Sequence, residues 1–347
     1  MARNIDWHAA PAVWLAGLAL VTALFAPARL SAQVASPHAI DVPSWFLESF
    51  LDFPDEVATA AKAGKRLMLY FGQDGCPYCR ELMQTNFSQK PIVEQTRRHF
   101  EAIALNIWGD REVIGFDGQR LSEKQFAKLL KVQFTPTLLF LDEKGRVTAR
   151  LNGYWPPHRF GAALDYVIGR HEGTATLGDY VARHAADAAN PQLADEPFYL
   201  KAPHDLQRRP GGKPLAVLFE TRHCKACDEL HAEGLRRAEM KPLIARFDIV
   251  RFALDDGATI VTPAGQRLPV QQWARELGIG YTPSMVFFDA SRREVFRVEG
   301  YVRPFHLAGA FDYVAQGAYR TQPEFQRFLQ DRAERARARG QPVDLWR

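Results

Sequence analysis

Four cysteines in 347 residues fall into two pairs of identical spacing, Cys76-Pro77-Tyr78-Cys79 and Cys224-Lys225-Ala226-Cys227. Two thiols three positions apart can close and reopen a disulfide, or hold a soft metal on their thiolates. Which chemistry runs depends on where the pairs sit. Each follows an apolar run of strand length, Leu67 to Phe71 or Leu215 to Phe219, and precedes helix-compatible residues, Arg80 to Phe87 or Asp228 to Leu235. The first cysteine of each pair therefore stands at a helix start, where partial positive charge and unpaired N–H groups stabilise a thiolate. Cys76 and Cys224 are the candidate attacking thiols. Cys79 and Cys227, on the same turn, are placed to attack the resulting mixed disulfide and release the partner. His223 and Lys225 flank Cys224 with potential positive charge, which favours its thiolate and would make the second pair the more oxidising.

The elements that position these pairs occur twice. The pairs lie 148 residues apart, while Gly118-Gln119-Arg120-Leu121 recurs at 265–268, Thr135-Pro136 as Thr282-Pro283, Gly153-Tyr154 as Gly300-Tyr301, and Asp165-Tyr166-Val167 at 312–314, each 147 residues on. A spacing held through four separated landmarks makes the chain two copies of one domain. Within each copy a second strand (Phe100 to Leu105; Phe247 to Leu254) leads through a polar loop to a helix (Glu123 to Lys131; Val270 to Leu277). Thr-Pro then opens another strand (Thr137 to Leu141; Ser284 to Phe288), and a turn joins a final strand and helix. This alternation predicts α/β architecture, two tandem domains each with a mixed central sheet flanked by helices. Thr-Pro before a strand is where a cis prolyl bond is expected, removing a backbone donor beside the sulfurs and presenting an edge for substrate pairing.

Composition narrows the remainder. A formal charge of +4, from 44 basic and 40 acidic residues, gives no reason to expect nucleic acid as the partner. Residues 1–35 place Arg3 before an apolar run from Ala9 to Ala28 and then small residues, the order of an export signal or of an anchor if uncleaved. The expected organisation is this signal, domains over 38–172 and 200–321, a connector over 173–199, and a basic helical tail over 322–347 read mainly as a solvated terminal helix. Export would place the chain in the periplasm, a compartment that tolerates disulfides.

With its Cys-x-x-Cys pairs followed by Thr-Pro about 60 residues later, the sequence resembles the thioredoxin superfamily over residues 45–172 and 200–320. The exported context, the long loop before the second helix, and Gly-Tyr followed by Pro157 or Pro304 look more like exported SoxW-like and DsbD-terminal-domain-like thioredoxins. The resemblance implies thiol-disulfide exchange, with Cys76 and Cys224 attacking, Cys79 and Cys227 resolving, and Thr135-Pro136 and Thr282-Pro283 forming the substrate groove. It implies exported proteins carrying thiols or disulfides as partners and, for a reductase, a membrane dithiol transporter of DsbD-like or CcdA-like kind. Two departures stand out. Gly75 or His223 precedes the pair where thioredoxins have Trp, and Tyr70 or Leu218 stands six positions before it where they bury an acid. The proton acceptor for the resolving thiols is thus not evident.

Other readings carry less weight. A zinc site built from both pairs is disfavoured, because ribbon pairs usually lie roughly 15 to 20 residues apart and these are far more distant. A static disulfide closing so small a loop constrains the unfolded chain little. The alternative from another class is delivery of copper on thiolates, with His223 and His231 as candidate third ligands at the second site. His99, His158, His171, His184 and His306 show no ligand spacing, and Trp155, Trp273 and Tyr166 read as core or groove residues. No phosphate loop or nucleotide fingerprint stands out, so no organic cofactor is implied.

Overall fold

The computed structural model describes residues 40–186 and 189–343; the expected export signal lies outside the described residues. The first copy runs α1 (Phe53–Lys62), β1 (Arg66–Gly72), α2 (Pro77–Glu81), α3 (Lys90–His99), β2 (Phe100–Asn106), β3 (Glu112–Ile114), β4 (Arg120–Ser122), α4 (Glu123–Leu129), β5 (Thr137–Leu141), β6 (Val147–Asn152) and α5 (Pro157–Ile168), followed by α6 (Leu177–His184). The second runs β7 (Leu215–Glu220), α7 (Lys225–Glu229), α8 (Lys241–Ile244), β8 (Asp248–Ala253), β9 (Thr259–Val261), β10 (Arg267–Pro269), α9 (Val270–Glu276), β11 (Ser284–Phe288), β12 (Glu294–Glu299) and α10 (Pro304–Ala315), followed by α11 (Phe325–Ala338).

Each copy builds one four-stranded mixed sheet, in the order β2-β1-β5-β6 and β8-β7-β11-β12. The inner strand β1 runs parallel to the edge strand β2, as β7 does to β8, while β5 and β11 run antiparallel to their neighbours. Every residue of β1 and β7 is buried, which is why both read as continuous apolar runs. Apolar clusters cover both faces of each sheet. The tandem α/β architecture expected from the repeat is therefore present.

Local chemistry accounts for the ends of the elements. Ser122 and Gln125 form a reciprocal capping box at the start of α4. Pro77 occupies the first turn of α2, where its missing N–H costs nothing. The helices after the cysteines begin earlier than the sequence suggests, at the pairs themselves, and continue as π-helical turns over Leu82–Asn86 and Leu230–Leu235. The loop before α4 or α9 is a small hairpin, β3 with β4 or β9 with β10. Strands of three residues are too short to leave a period in the sequence.

The trailing helices are held in the same way in both copies. Tyr166 Oη donates to the Ala175 carbonyl at 2.9 Å, and Tyr313 Oη to that of Gln322 at 2.7 Å. The arginine-rich tail is not a solvated helix, because Phe325, Phe328, Leu329 and Ala333 of α11 are buried in the second core. Arg327, Arg335, Arg337 and Arg339 are exposed while Arg332 lies over the Phe305 ring and reaches Asp312 of α10, so charge count alone could not reveal the buried stripe. Among the described residues no helix is long and apolar enough to cross a membrane.

Candidate active site

Both cysteine pairs are closed as disulfides, Cys76 to Cys79 and Cys224 to Cys227. Cys76 is the N-cap of α2 and its Sγ accepts the Cys79 N–H at 3.1 Å; Cys224 caps α7 and accepts from Cys227 at the same distance. That bond and the helix start stabilise negative charge on the first sulfur of each pair when it is reduced. Cys79 is fully buried and Cys76 only 5% exposed, while Cys227 is 4% exposed and Cys224 is more open. In both pairs the first sulfur is the more exposed of the two.

The Thr-Pro segments stand against these sulfurs. The Thr135-Pro136 and Thr282-Pro283 peptides are cis. Cys76 Sγ lies 3.5 Å from the Thr135 carbonyl oxygen, and Cys224 Sγ lies 3.7 Å from Thr282 Oγ1. His223 and Lys225 flank Cys224 but face solvent. His223 adopts φ +56° and donates its N–H to the Asn190 carbonyl, and Lys225 Nζ shares its charge with Glu229 at 3.9 Å.

Beneath the second pair lies a charged cluster that sequence reasoning missed. His231, four residues beyond Cys227, is buried with Nδ1 2.8 Å from Glu196 and Nε2 3.0 Å from Glu220. Arg236 Nε donates to the same Glu196 oxygen at 2.7 Å. Burial alone would lower the His231 pKa, but Glu220 and then Glu196 override it and hold the imidazole above its ordinary value. One imidazole and one guanidinium thus face two carboxyl groups. Glu220 Oε2 is buried without a hydrogen-bond partner, an open acceptor at the end of β7. Glu220 ends β7 two residues past Leu218, so the acid faces the same side of the sheet from a different position. The acid thus stands four positions before the cysteine and not six.

The first copy solves the same place differently. Gly72 occupies the position of Glu220, and a Cβ there would lie 2.2 Å from Tyr70 Oη. Tyr70 packs in one cluster with Cys76 and Cys79. Burial pushes its phenol well above the ordinary tyrosine range, so it stays protonated at neutral pH and cannot take up a thiol proton. The two dithiols therefore stand in unlike copies, with Gly72 and Tyr70 in one where the other has Glu220 and Leu218.

Among the described residues no group of three or more His, Cys, Asp or Glu could hold a metal ion. His231, a candidate copper ligand in the sequence, has both ring nitrogens turned to carboxylates.

A family model for the thioredoxin-like domain matches the chain twice, over residues 53–168 and 207–315, more than half of its length. Among solved structures, the chain is similar to a thioredoxin-fold protein from Helicobacter pylori, at 24% identity over 39% of this chain and 96% of that one, with a TM-score of 0.30. It is also similar to the DsbD C-terminal domain of Neisseria meningitidis in its reduced form, at 17% identity over 30% and 82% of the two chains, with a TM-score of 0.23. A disulphide isomerase from Xylella fastidiosa matches at 14% identity over 42% and 96%, with a TM-score of 0.24. No curated protein matches the chain.

Proposed function

The chain belongs to the thioredoxin-like domain family and is a thiol-disulfide oxidoreductase, and from that premise we propose that it works outside the cytoplasm, exchanging disulfides with exported partners and passing electrons between its two dithiols. The observation that carries this reading is the shared geometry of the pairs: a capped, more accessible first sulfur, a buried second sulfur, and Thr-Pro beside them. Export is supported by the order of residues in the first 35 positions. The relay is supported by a cleft of about 270 Å³ bordered by Tyr78 of one pair and by Lys225 and Ala226 of the other.

In the reducing direction the first thiolate attacks one sulfur of a partner disulfide. The partner's other sulfur leaves as a thiolate and takes a proton. The second cysteine, deprotonated, then attacks the first, expelling the remaining partner sulfur. Two electrons and two protons have moved from the dithiol to the partner, and the oxidising direction is the reverse. A partner to restore the dithiol fits a membrane dithiol transporter, whose exchange would again be thiol for disulfide.

The test is a redox titration against glutathione with thiol alkylation and mass readout, on the wild type and on Cys76→Ser and Cys224→Ser, with bound metal counted in the same samples. Each pair should titrate as a reversible two-electron couple. A pair that never opens, or that holds stoichiometric metal once reduced, sinks the reading for that domain.

A further inference from the structure

Each trailing helix crosses to the other copy and walls its dithiol groove. The groove at Cys224 is lined by Gly178, Ala182 and Ala185 on and just after α6, and the groove at Cys76 by Gln326, Gln330, Ala333 and Arg337 of α11. The crossing helices reach equivalent backbone atoms three residues before the prolines. Gly178 N–H donates to the Gly280 carbonyl at 3.1 Å, with no room for a Cβ, which would come within 2.4 Å of that oxygen. In the first groove the same position, the Gln133 carbonyl, receives a side-chain amide, Gln326 Nε2, at 3.0 Å.

Gln326 does more than cap a carbonyl. Its Oε1 accepts from Gln73 Nε2 at 3.2 Å, and Gln73 Oε1 in turn accepts from Trp108 Nε1 at 2.6 Å. One primary amide thus spans the groove from the cysteine side to the proline side, using a donor and an acceptor as a bound peptide unit would. Arg327 lies over Trp108, which lines the groove, its guanidinium 4.6 Å from the centre of the ring. The grooves have the same volume, about 390 Å³ each, so what separates them is their lining and the exposure of their first sulfurs. Cys76 is shut to 5% exposure while Cys224 stays more open.

The geometry points to a division of labour: the Cys76–Cys79 pair is a site for small-molecule thiols and disulfides, closed to polypeptide by α11 with Gln326 as the specificity-determining residue, and the Cys224–Cys227 pair meets proteins. This rests on the oxidoreductase reading above. At the first pair the Cys76 thiolate attacks a small disulfide RSSR, one RS⁻ leaves and is protonated, and Cys79 displaces the second. The dithiol loses two electrons and two protons, and RSSR becomes two RSH. Binding a short molecule needs only the walled pocket, whereas an extended chain laid along Thr135-Pro136 must also pass the Gln326 amide seated on the Gln133 carbonyl.

Two variants isolate the sites in the full chain, Cys224→Ser/Cys227→Ser leaving the first pair and Cys76→Ser/Cys79→Ser the second. Oxidised glutathione and insulin serve as the small and protein disulfides. Both single-site proteins should reduce glutathione disulfide at rates within about threefold of each other, while the first pair reduces insulin at about a tenth of the second pair's rate or less. Adding Gln326→Ala/Arg327→Ala to the first-pair protein should raise the ratio of its insulin rate to its glutathione rate about fivefold or more. Gln330→Trp, an exposed position, should fill the first groove and cut glutathione reduction there about tenfold while leaving the second pair unchanged. Equal insulin rates at the two pairs, no gain from Gln326→Ala/Arg327→Ala, or indifference to Gln330→Trp would each overturn the assignment. If neither pair reduces either disulfide, the failure belongs to the oxidoreductase reading itself.

Discussion

Asn152 Nδ2 donates to Glu299 Oε2 at 2.7 Å, and the two residues, 147 apart, hold the same position in the two copies. A contact between equivalent positions places a local twofold relation between the domains, as in an isologous dimer made within one chain. Phe134 and Tyr281, also equivalent, obey it. Phe134 packs with Phe296 and Phe325 in the second core, and Tyr281 packs against Trp155 in the first.

Asn152→Asp would set a carboxylate against Glu299 in a nearly buried place, with Asn152 itself 9% exposed. It should cost about 1–3 kcal/mol at neutral pH, read from urea denaturation. Adding Glu299→Gln should recover most of the loss, since the pair could again share a hydrogen bond. An equal loss in the double variant would show that Asn152 acts on its own domain alone.

Two histidines of the second copy should give stability opposite slopes with pH. Burial pushes His306, beside Tyr78, down to about 4. The unfolded chain therefore binds the proton first, and the contribution of the neutral ring, complete above roughly pH 6.5, falls away as pH drops towards 4. His231 is held above its ordinary value by Glu220 and Glu196. Its contribution is complete below about pH 6.5 and is lost as pH rises through the folded value. His306→Gln should flatten the acid limb and His231→Gln the alkaline limb of a plot of unfolding free energy against pH.

Gly72→Ala should destabilise the first copy by about 1–3 kcal/mol, because the new methyl would meet the Tyr70 phenol. Tyr70→Leu in the same chain should relieve it, as Leu218 leaves room for a side chain at position 220. A thermal melt of the three proteins decides the matter. Persistence of the loss in the double variant would point to backbone strain instead.

Glu220→Gln retains shape but cannot accept a proton. Closure of the Cys224–Cys227 disulfide from a trapped mixed disulfide should slow about tenfold or more, and its pH profile should shift. The Cys76–Cys79 pair, over Gly72 and Tyr70, should be unmoved. Quenched-flow alkylation in each single-site protein measures both, and an identical slowing at both pairs would remove Glu220 from the reaction.

The repeat, the strands and the cysteine pairs could be read in the sequence because each rests on residue type and spacing. β1 and β7 are buried on both faces, and that alone writes an apolar run. The crossing helices could not be read so. Gln326 and Gly178 are unremarkable in sequence, and their meaning comes from the carbonyls of Gln133 and Gly280, far off in the chain. Glu220 stays hidden for a related reason, and His231 reads only as a candidate metal ligand: a polar pair buried together looks, one residue at a time, like two surface residues.

The exchange of Phe134 and Tyr281 also bears on synthesis. Domains generally fold as they leave the ribosome, the N-terminal one first. The first copy emerges while Tyr281, which completes its core, is still to be translated, and Phe134 has no core to enter. Until then it carries a bare apolar face shaped for its own repeat. Two nascent chains on neighbouring ribosomes present the same face to each other, so the pairing that completes one molecule competes with a pairing that would join two.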